Sequence, residues 1–305
     1  MELQSKKKTS LIIQLFSIFL PIIALVFVID KIWSVRYQIL NNLDIKQTFF
    51  IVLGGSMLYA IDNLFIIFAW RQLINWFSES KTNFRIALKV YGLTQITKYI
   101  PGNVFHLPSR HLMGRQVGLK HTPLLGAAVF EIIGLLVASG LISSLGFLIR
   151  KNQVVQSEMI FAFLFLIMLS PLVLELVFSR VPILKKINLP QKSIIEMYRF
   201  LARNWFVYLF FFLVAAVTLW IIIFGVSASW SVIPLGIIFS AYAISWLAGT
   251  IIPGAPAGAG VREAVLILML SGFVGEADSI LIALVLRTVT VLGDAYIYLI
   301  AQAIR

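Results

Sequence analysis

The residues able to do chemistry in this sequence are a few charges set inside long apolar runs. Asp62, Glu131, Glu175, Arg287 and Asp294 each interrupt a stretch that is otherwise apolar. A charge at the centre of a bilayer costs about 2.5–3.5 kcal/mol on insertion scales, so such groups face a bundle interior, pair together or line a substrate path. Arg287 and Asp294 are seven residues apart, two helical turns and about 10.5 Å along one face. They are too distant to bond directly but can share a polar cavity. Glu131 and Arg287 lie at similar depth in their runs, so an interhelical Glu131–Arg287 pair is expected, whether it lines a ligand path or only locks the bundle. Asp62, Glu131, Arg287 and Asp294 form the expected intramembrane charge network. Glu175 stands near the end of its run, where it can snorkel to the interface.

A second set of residues suits an anion. Ile100-Pro101-Gly102 is followed after seven residues by Arg110, and Ile252-Pro253-Gly254 after seven by Arg262. Gly258 and Gly260 precede Val261-Arg262-Glu263, where a helix should begin. A glycine turn running into a helix start offers free N–H groups and the positive end of the dipole. Arg262 adds a fork suited to phosphate or carboxylate. The competing reading is that Glu263 caps its own helix and the glycines only permit close packing. Lys98, Arg110 and Arg115 would form a matching cationic rim. The metal prospects are poor: Cys is absent, and His106, His111 and His121 lack the i, i+4 spacing of a helical ligand pair. No Walker loop, G-x-S-x-G or H-E-x-x-H motif occurs, so no catalytic residue, metal or cofactor is expected.

The elements that carry these groups follow from composition. Of 305 residues, 60% are hydrophobic and 12% charged, against about 45–50% and about 25% in soluble domains. Mean hydropathy is +0.96. A soluble enzyme, a disordered regulator and a secreted disulfide scaffold are excluded. The net charge of +12 suits cationic loops beside anionic lipid better than nucleic acid. Seven stretches approach the roughly 20 apolar residues that a spanning helix needs: Leu11–Ile29, Thr48–Trp70, Thr122–Ile149, Met159–Ser179, Asn204–Val226, Ser231–Ile251 and Ser279–Ala303. The first reads as a retained helix, too long for a signal peptide. Segments 71–120 and 180–203 are strongly basic, which places them, and the N-terminus, in the cytoplasm.

Two segments resist the count. Ile86–Leu119 is broken at Pro101-Gly102, and Ile252–Val274 at Pro253-Gly254 and again by Pro256, Gly258 and Gly260. Broken backbone at membrane depth survives only against protein or a wet cavity, so both are expected as re-entrant hairpins. If the second crosses, seven spans become eight. Their matched Ile-Pro-Gly and Arg spacing suggests a weak internal repeat with halves at about 48–149 and 231–303, a pattern that points to a transporter site. The expected fold class is an all-α polytopic integral membrane protein, a single membrane domain over 1–305, with seven or eight transmembrane helices and two Pro-Gly-broken hairpins.

The stretches QITKYIPGNVFHLPSRHLMGRQVGL (95–119) and IIPGAPAGAGVREAVLILML (251–270) resemble the two signature segments of the lysylphosphatidylglycerol synthase transmembrane family, the flippase part of lipid-lysinylating proteins. The resemblance implies one functional hairpin from Lys98, Pro101, Gly102, Asn103, Arg110 and Arg115. It implies another from Pro253, Gly254, Gly258, Gly260, Arg262 and Glu263. Ala259 and an extra Ala-Pro depart from the shorter P-G-G-L-G form. Fused members carry lysyl transfer in a following soluble domain, so that chemistry is not expected here. Stand-alone members often accompany surface polysaccharide assembly.

Three functions fit these residues. The first is a lipid flippase of the cell (inner) membrane that binds an anionic headgroup between the hairpins: an aminoacyl phospholipid, a polyprenyl phosphate or a lipid-linked sugar. The second is a non-catalytic, lipid-carrier-binding partner of membrane glycosyltransferases or other cell-envelope enzymes. The third is a proton-coupled small-solute carrier using Asp62, Glu131 and Asp294. The expected partners are membrane lipids and not nucleic acid; headgroup, transport direction and oligomeric state are not legible.

Overall fold

The computed structural model describes residues 22–40, 44–78, 81–100, 105–148, 194–227, 233–252 and 254–304. These residues form nine α-helices and no strand. They are α1 (22–40), α2 (Ile45–Phe77), α3 (Phe84–Gln95), α4 (His106–Gln116), α5 (His121–Leu148), α6 (Ile194–Val226), α7 (Leu235–Ile251), α8 (Val261–Val274) and α9 (Glu276–Ala303). Two single 3-10 turns, Ile96–Tyr99 and Pro256–Gly258, precede α4 and α8. The expected span Met159–Ser179 with Glu175, and most of Leu11–Ile29, lie outside the described residues. So do Pro101, Gly102, Asn103 and Pro253.

Five helical stretches are long and apolar enough to cross a membrane: Ile45–Phe77, His121–Ser144, Tyr198–Val226, Pro256–Val274 and Glu276–Ala303. Two differ from expectation. The stretch from Ser231 yields only the 17 residues of α7, because Pro234 sits at its N-cap, where a missing N–H starts a helix but cannot extend one backwards. The second broken segment is the opposite case. Its apolar run continues through Phe273 and Val274, so Pro256–Val274 reaches spanning length despite a kink at Ala257 (φ 49°, ψ 31°).

α2 is the central post, packed against α3, α5, α6 and α9. Asp44 caps its start, accepting the Gln47 N–H at 3.0 Å and so satisfying one of the donors every helix start leaves open. Its buried face carries Gly55, Ser56, Tyr59, Ala60, Asp62, Asn63 and Ile66, recurring at three- and four-residue steps. Its outward face carries Leu53, Met57, Ile61, Phe65 and Phe68, all exposed. A row of large apolar residues on the outward face, with small and polar residues among those turned inward, is the reverse of a soluble helix. It is the arrangement that lipid demands, since hydrocarbon gives no drive to bury Phe, and tight interhelical contact needs small side chains. α6 likewise exposes Phe206, Phe210, Leu213 and Val217, and it buries Ala215 and Ala216 together with Phe212, Leu219, Ile222 and Ile223.

The closest approach of α2 to α9 is at Gly293, where an added Cβ would lie 2.6 Å from the Tyr59 ring and 3.0 Å from the Ser56 carbonyl. Overfilling a packed site costs about 1–3 kcal/mol. Gly293→Ala should therefore lower the melting temperature in detergent. Gly54→Ala, whose Cβ would meet nothing within 4 Å, should leave it unchanged or raise it. Equal melting of the two variants would contradict this packing.

Candidate functional site

The site is built outward from α3. Tyr91 and Gln95 are one turn apart on its buried face, and the 3-10 turn that follows presents Lys98 and Tyr99. The Tyr91 hydroxyl donates to Glu131 Oε1 of α5 at 2.7 Å. Arg110 of α4 grips the same carboxylate through one terminal nitrogen, at 3.0 Å from Oε1 and 2.8 Å from Oε2. Its guanidinium also stacks 3.4 Å from the centre of the Tyr91 ring. A second pair forms across α9, where Lys98 Nζ lies 2.7 Å from Asp294 Oδ2 and the Tyr99 hydroxyl donates to the same oxygen at 2.6 Å.

Gln95 joins the two pairs. Its amide nitrogen donates to Asp294 at 3.4 Å and to Asn63 at 3.5 Å, while its carbonyl accepts from Arg110 at 3.4 Å. Each carboxylate thus has a cation and a hydroxyl donor, the condition under which charges are tolerated away from water. Sequence reasoning missed Tyr91, Gln95 and Tyr99. The available signal was Gln95 standing one turn after a tyrosine inside a half-apolar helix.

The remaining expected charges do not form one network. Glu131 pairs with Arg110 rather than Arg287, because α4 brings Arg110 against α5. Arg287 instead turns to the second broken segment, donating to the carbonyls of Ala257 at 3.1 Å and Pro256 at 3.3 Å, with its Nε 3.5 Å from Glu263 Oε1. Asp62 is completely buried, and neither of its oxygens has a hydrogen-bond partner among the described residues.

The glycine turn is also not an open anion cradle. α8 begins at Val261, but Glu263 Oε2 accepts the Gly260 N–H at 2.7 Å, and the Gly258 N–H is bonded to the Ala255 carbonyl at 2.9 Å. The Glu263 carboxylate thus occupies the N-cap of its own helix. Gly258 serves another purpose, together with Gly249 of α7. A Cβ at Gly249 would lie 2.4 Å from Arg262 Cγ, and one at Gly258 2.7 Å from its Nε. The two glycines form a slot through which the Arg262 stem passes. Arg115 lies outside the site, donating to the Leu119 carbonyl at 2.8 Å at the end of α4.

Between these elements lies a cavity of about 220 Å³, lined by Lys98, His106, Arg110, Glu131, Trp246 and Arg262 among others. A smaller one of about 30 Å³ shares Trp246 and Arg262 and reaches Tyr242 and Arg287. Lys98, Arg110 and Arg287 each have a carboxylate partner. Arg262 has none among the described residues, and its buried Nε has no hydrogen-bond acceptor. Its guanidinium stands 5.8 Å from the Trp246 ring. Among these groups four cations stand against three carboxylates, and Lys98, Arg110, Arg262 and Glu131 line the larger cavity itself. His106 is not a fifth cation. Burial, and then the charges of Arg110, Lys98 and Arg262, push its imidazole down to about 3, so it stays neutral and leaves a buried, unpartnered Nδ1. Beside the polar cavity runs an apolar groove of about 550 Å³ between α4 and α5, and the two share Leu107, Arg110 and Ile132.

The fold and site together define a multi-span helical protein with a cationic internal cavity. No model of a known protein family matches the chain, and no curated protein matches it either.

Removing one partner of a buried ion pair costs about 3–5 kcal/mol, because the other charge is stranded. Glu131→Gln should accordingly lower thermal stability in detergent strongly. Adding Arg110→Gln to it should recover part of the loss. A double variant no more stable than the single one would show that the two residues are not coupled.

Proposed function

We propose that this chain is a lipid flippase that takes an anionic headgroup into the Arg262 cavity. The observation that supports the reading most is the unanswered Arg262 guanidinium in a polar cavity that runs, past Leu107 and Ile132, into an apolar groove. An anion there would complete the charge balance and give Arg262 and the His106 ring hydrogen-bond partners. The groove suits a hydrocarbon chain attached to that anion, which a free small solute does not have. In this reading the two Pro-Gly segments are re-entrant hairpins walling the cavity and related by a weak repeat. Their 3-10 turns do contact each other. The chain sits in the cell (inner) membrane with the basic segment 71–120 cytoplasmic and works by binding and movement, without catalysis. Membership of the lysylphosphatidylglycerol synthase transmembrane family is part of the same proposal and rests on the motif residues from Lys98 to Arg115 and from Pro253 to Glu263.

The test is titration of purified protein with dihexanoylphosphatidylglycerol and, as the neutral counterpart, dihexanoylphosphatidylcholine. Charge-assisted hydrogen bonds are worth about 1.5–3 kcal/mol. Arg262→Gln should thus weaken binding of the anionic lipid roughly ten- to a hundredfold, and its melting temperature should be unchanged, since no ion pair is lost. Ala128→Trp, which fills the groove, should weaken a long-chain phosphatidylglycerol in nanodiscs more than the short-chain form. Unchanged affinity in Arg262→Gln would overturn the headgroup assignment.

A further inference from the structure

Among the buried carboxyls of the described residues, Asp62 is the one that the cavity network leaves out. It lies in mid-α2, has no accessible surface, and has no donor for either oxygen among the described residues. The titratable groups on the helices around it are otherwise engaged. Tyr91 of α3 and Glu131 of α5 are bound up with Arg110. On α9, Asp294 is held by Lys98 and Tyr99, and Arg287 by Glu263 and two carbonyls. The Tyr208 hydroxyl of α6 is buried without a partner. That leaves Tyr59, one turn earlier on the same face of α2, and Tyr242 of α7, whose hydroxyls interact with each other. Tyr242 is within electrostatic reach of both Asp62 and Arg262; Tyr59 lines the large cavity and Tyr242 the small one.

We propose that Asp62 is a proton-binding site linked to the anion cavity at Arg262 through the Tyr59–Tyr242 pair. An ionised carboxylate with no cation and no donor would carry the full cost of desolvation, and a proton removes that cost. A metal cation is a poorer occupant, because Na⁺ or Mg²⁺ requires several oxygens around it, and no cluster of three or more His, Cys, Asp or Glu side chains that could hold one occurs among the described residues. The direction of the linkage follows from charge. An empty cavity keeps the free Arg262 cation, whose field favours ionisation of Asp62. An anion on Arg262 cancels that field, so anion and proton are held together. This coupling rests on the headgroup reading, while the proton site itself does not.

The experiment is infrared difference spectroscopy on the detergent-solubilised protein, following the carbonyl stretch of protonated carboxylic acids. At neutral pH wild type should show one such band that Asp62→Asn lacks. Should Asp62→Asn fail to fold, Asp62→Glu should displace the band. Saturation with dihexanoylphosphatidylglycerol should raise the pH at which the band is lost by about one unit, a roughly tenfold coupling that lies within the usual range for linked sites. The shift should vanish in Arg262→Gln and persist in Gly54→Ala, whose added Cβ meets nothing within 4 Å. Identical wild-type and Asp62→Asn spectra would overturn the proton site. A bound lipid that leaves the band's pH dependence unmoved would overturn the coupling. Lipid that binds Arg262→Gln as well as wild type, with the Asp62 band intact, would instead locate the failure in the headgroup reading and leave the proton site standing.

Discussion

In a helical bundle surrounded by hydrocarbon, every charge and every interrupted hydrogen bond must be answered from within the protein. Most of the interior is arranged around this constraint. Arg110 answers Glu131, Lys98 and Tyr99 answer Asp294, and Gln95 lies between the two pairs with a bond to each. The carbonyls freed where the helical backbone breaks at Pro256 and Ala257 are taken up by Arg287. The Gly260 N–H, at the N-cap of α8, is taken up by Glu263. Once these demands are met, Arg262 and Asp62 remain as interior charged groups with no counter-charge among the described residues, and the functional readings start from those two.

α9 anchors both broken segments. Asp294 holds the turn that contains Lys98 and Tyr99, and Arg287, two helical turns earlier on the same helix, holds the turn that contains Ala257. The spacing along one helical face fixes the separation of the two turns and, with it, part of the size of the cavity between them. Arg287 therefore acts on the ligand site indirectly, by fixing backbone, whereas Arg262 reaches the cavity with its own guanidinium. The slot between Gly249 and Gly258 is what allows a long cationic side chain to run through packed helices to that position.

The cavity joins two environments that seldom meet in one small site. On one side are neutralised ion pairs with a surplus cation, and on the other an apolar groove. Pairing removes most of the charge from the wall, so a bound anion would meet Arg262 and little repulsion from Glu131 or Asp294. Trp246 beside Arg262 gives that cation an aromatic partner, weaker than a carboxylate. A cation held in this way stays available to a ligand.

The class of the protein was legible from composition alone, because an excess of apolar residues and basic loops has few physical solutions. The apolar runs placed α2, α5, α6 and α9, and the buried charges were recognisable as exceptions within them. Their pairing was not legible. Matching Glu131 to Arg287 by depth assumed that depth selects partners, whereas lateral position does, and α4 carries Arg110 to Glu131 from a segment that sequence assigned only to a rim. For the glycines the sequence left two readings, an anion cradle or close packing beside a helix start capped by Glu263, because that outcome depends on where the Glu263 side chain goes. Linear sequence fixes which residues carry charge and how they are spaced along each helix. Which helix faces which, and therefore which charge is left without a partner, is a property of three-dimensional packing, and only the tertiary structure decided it.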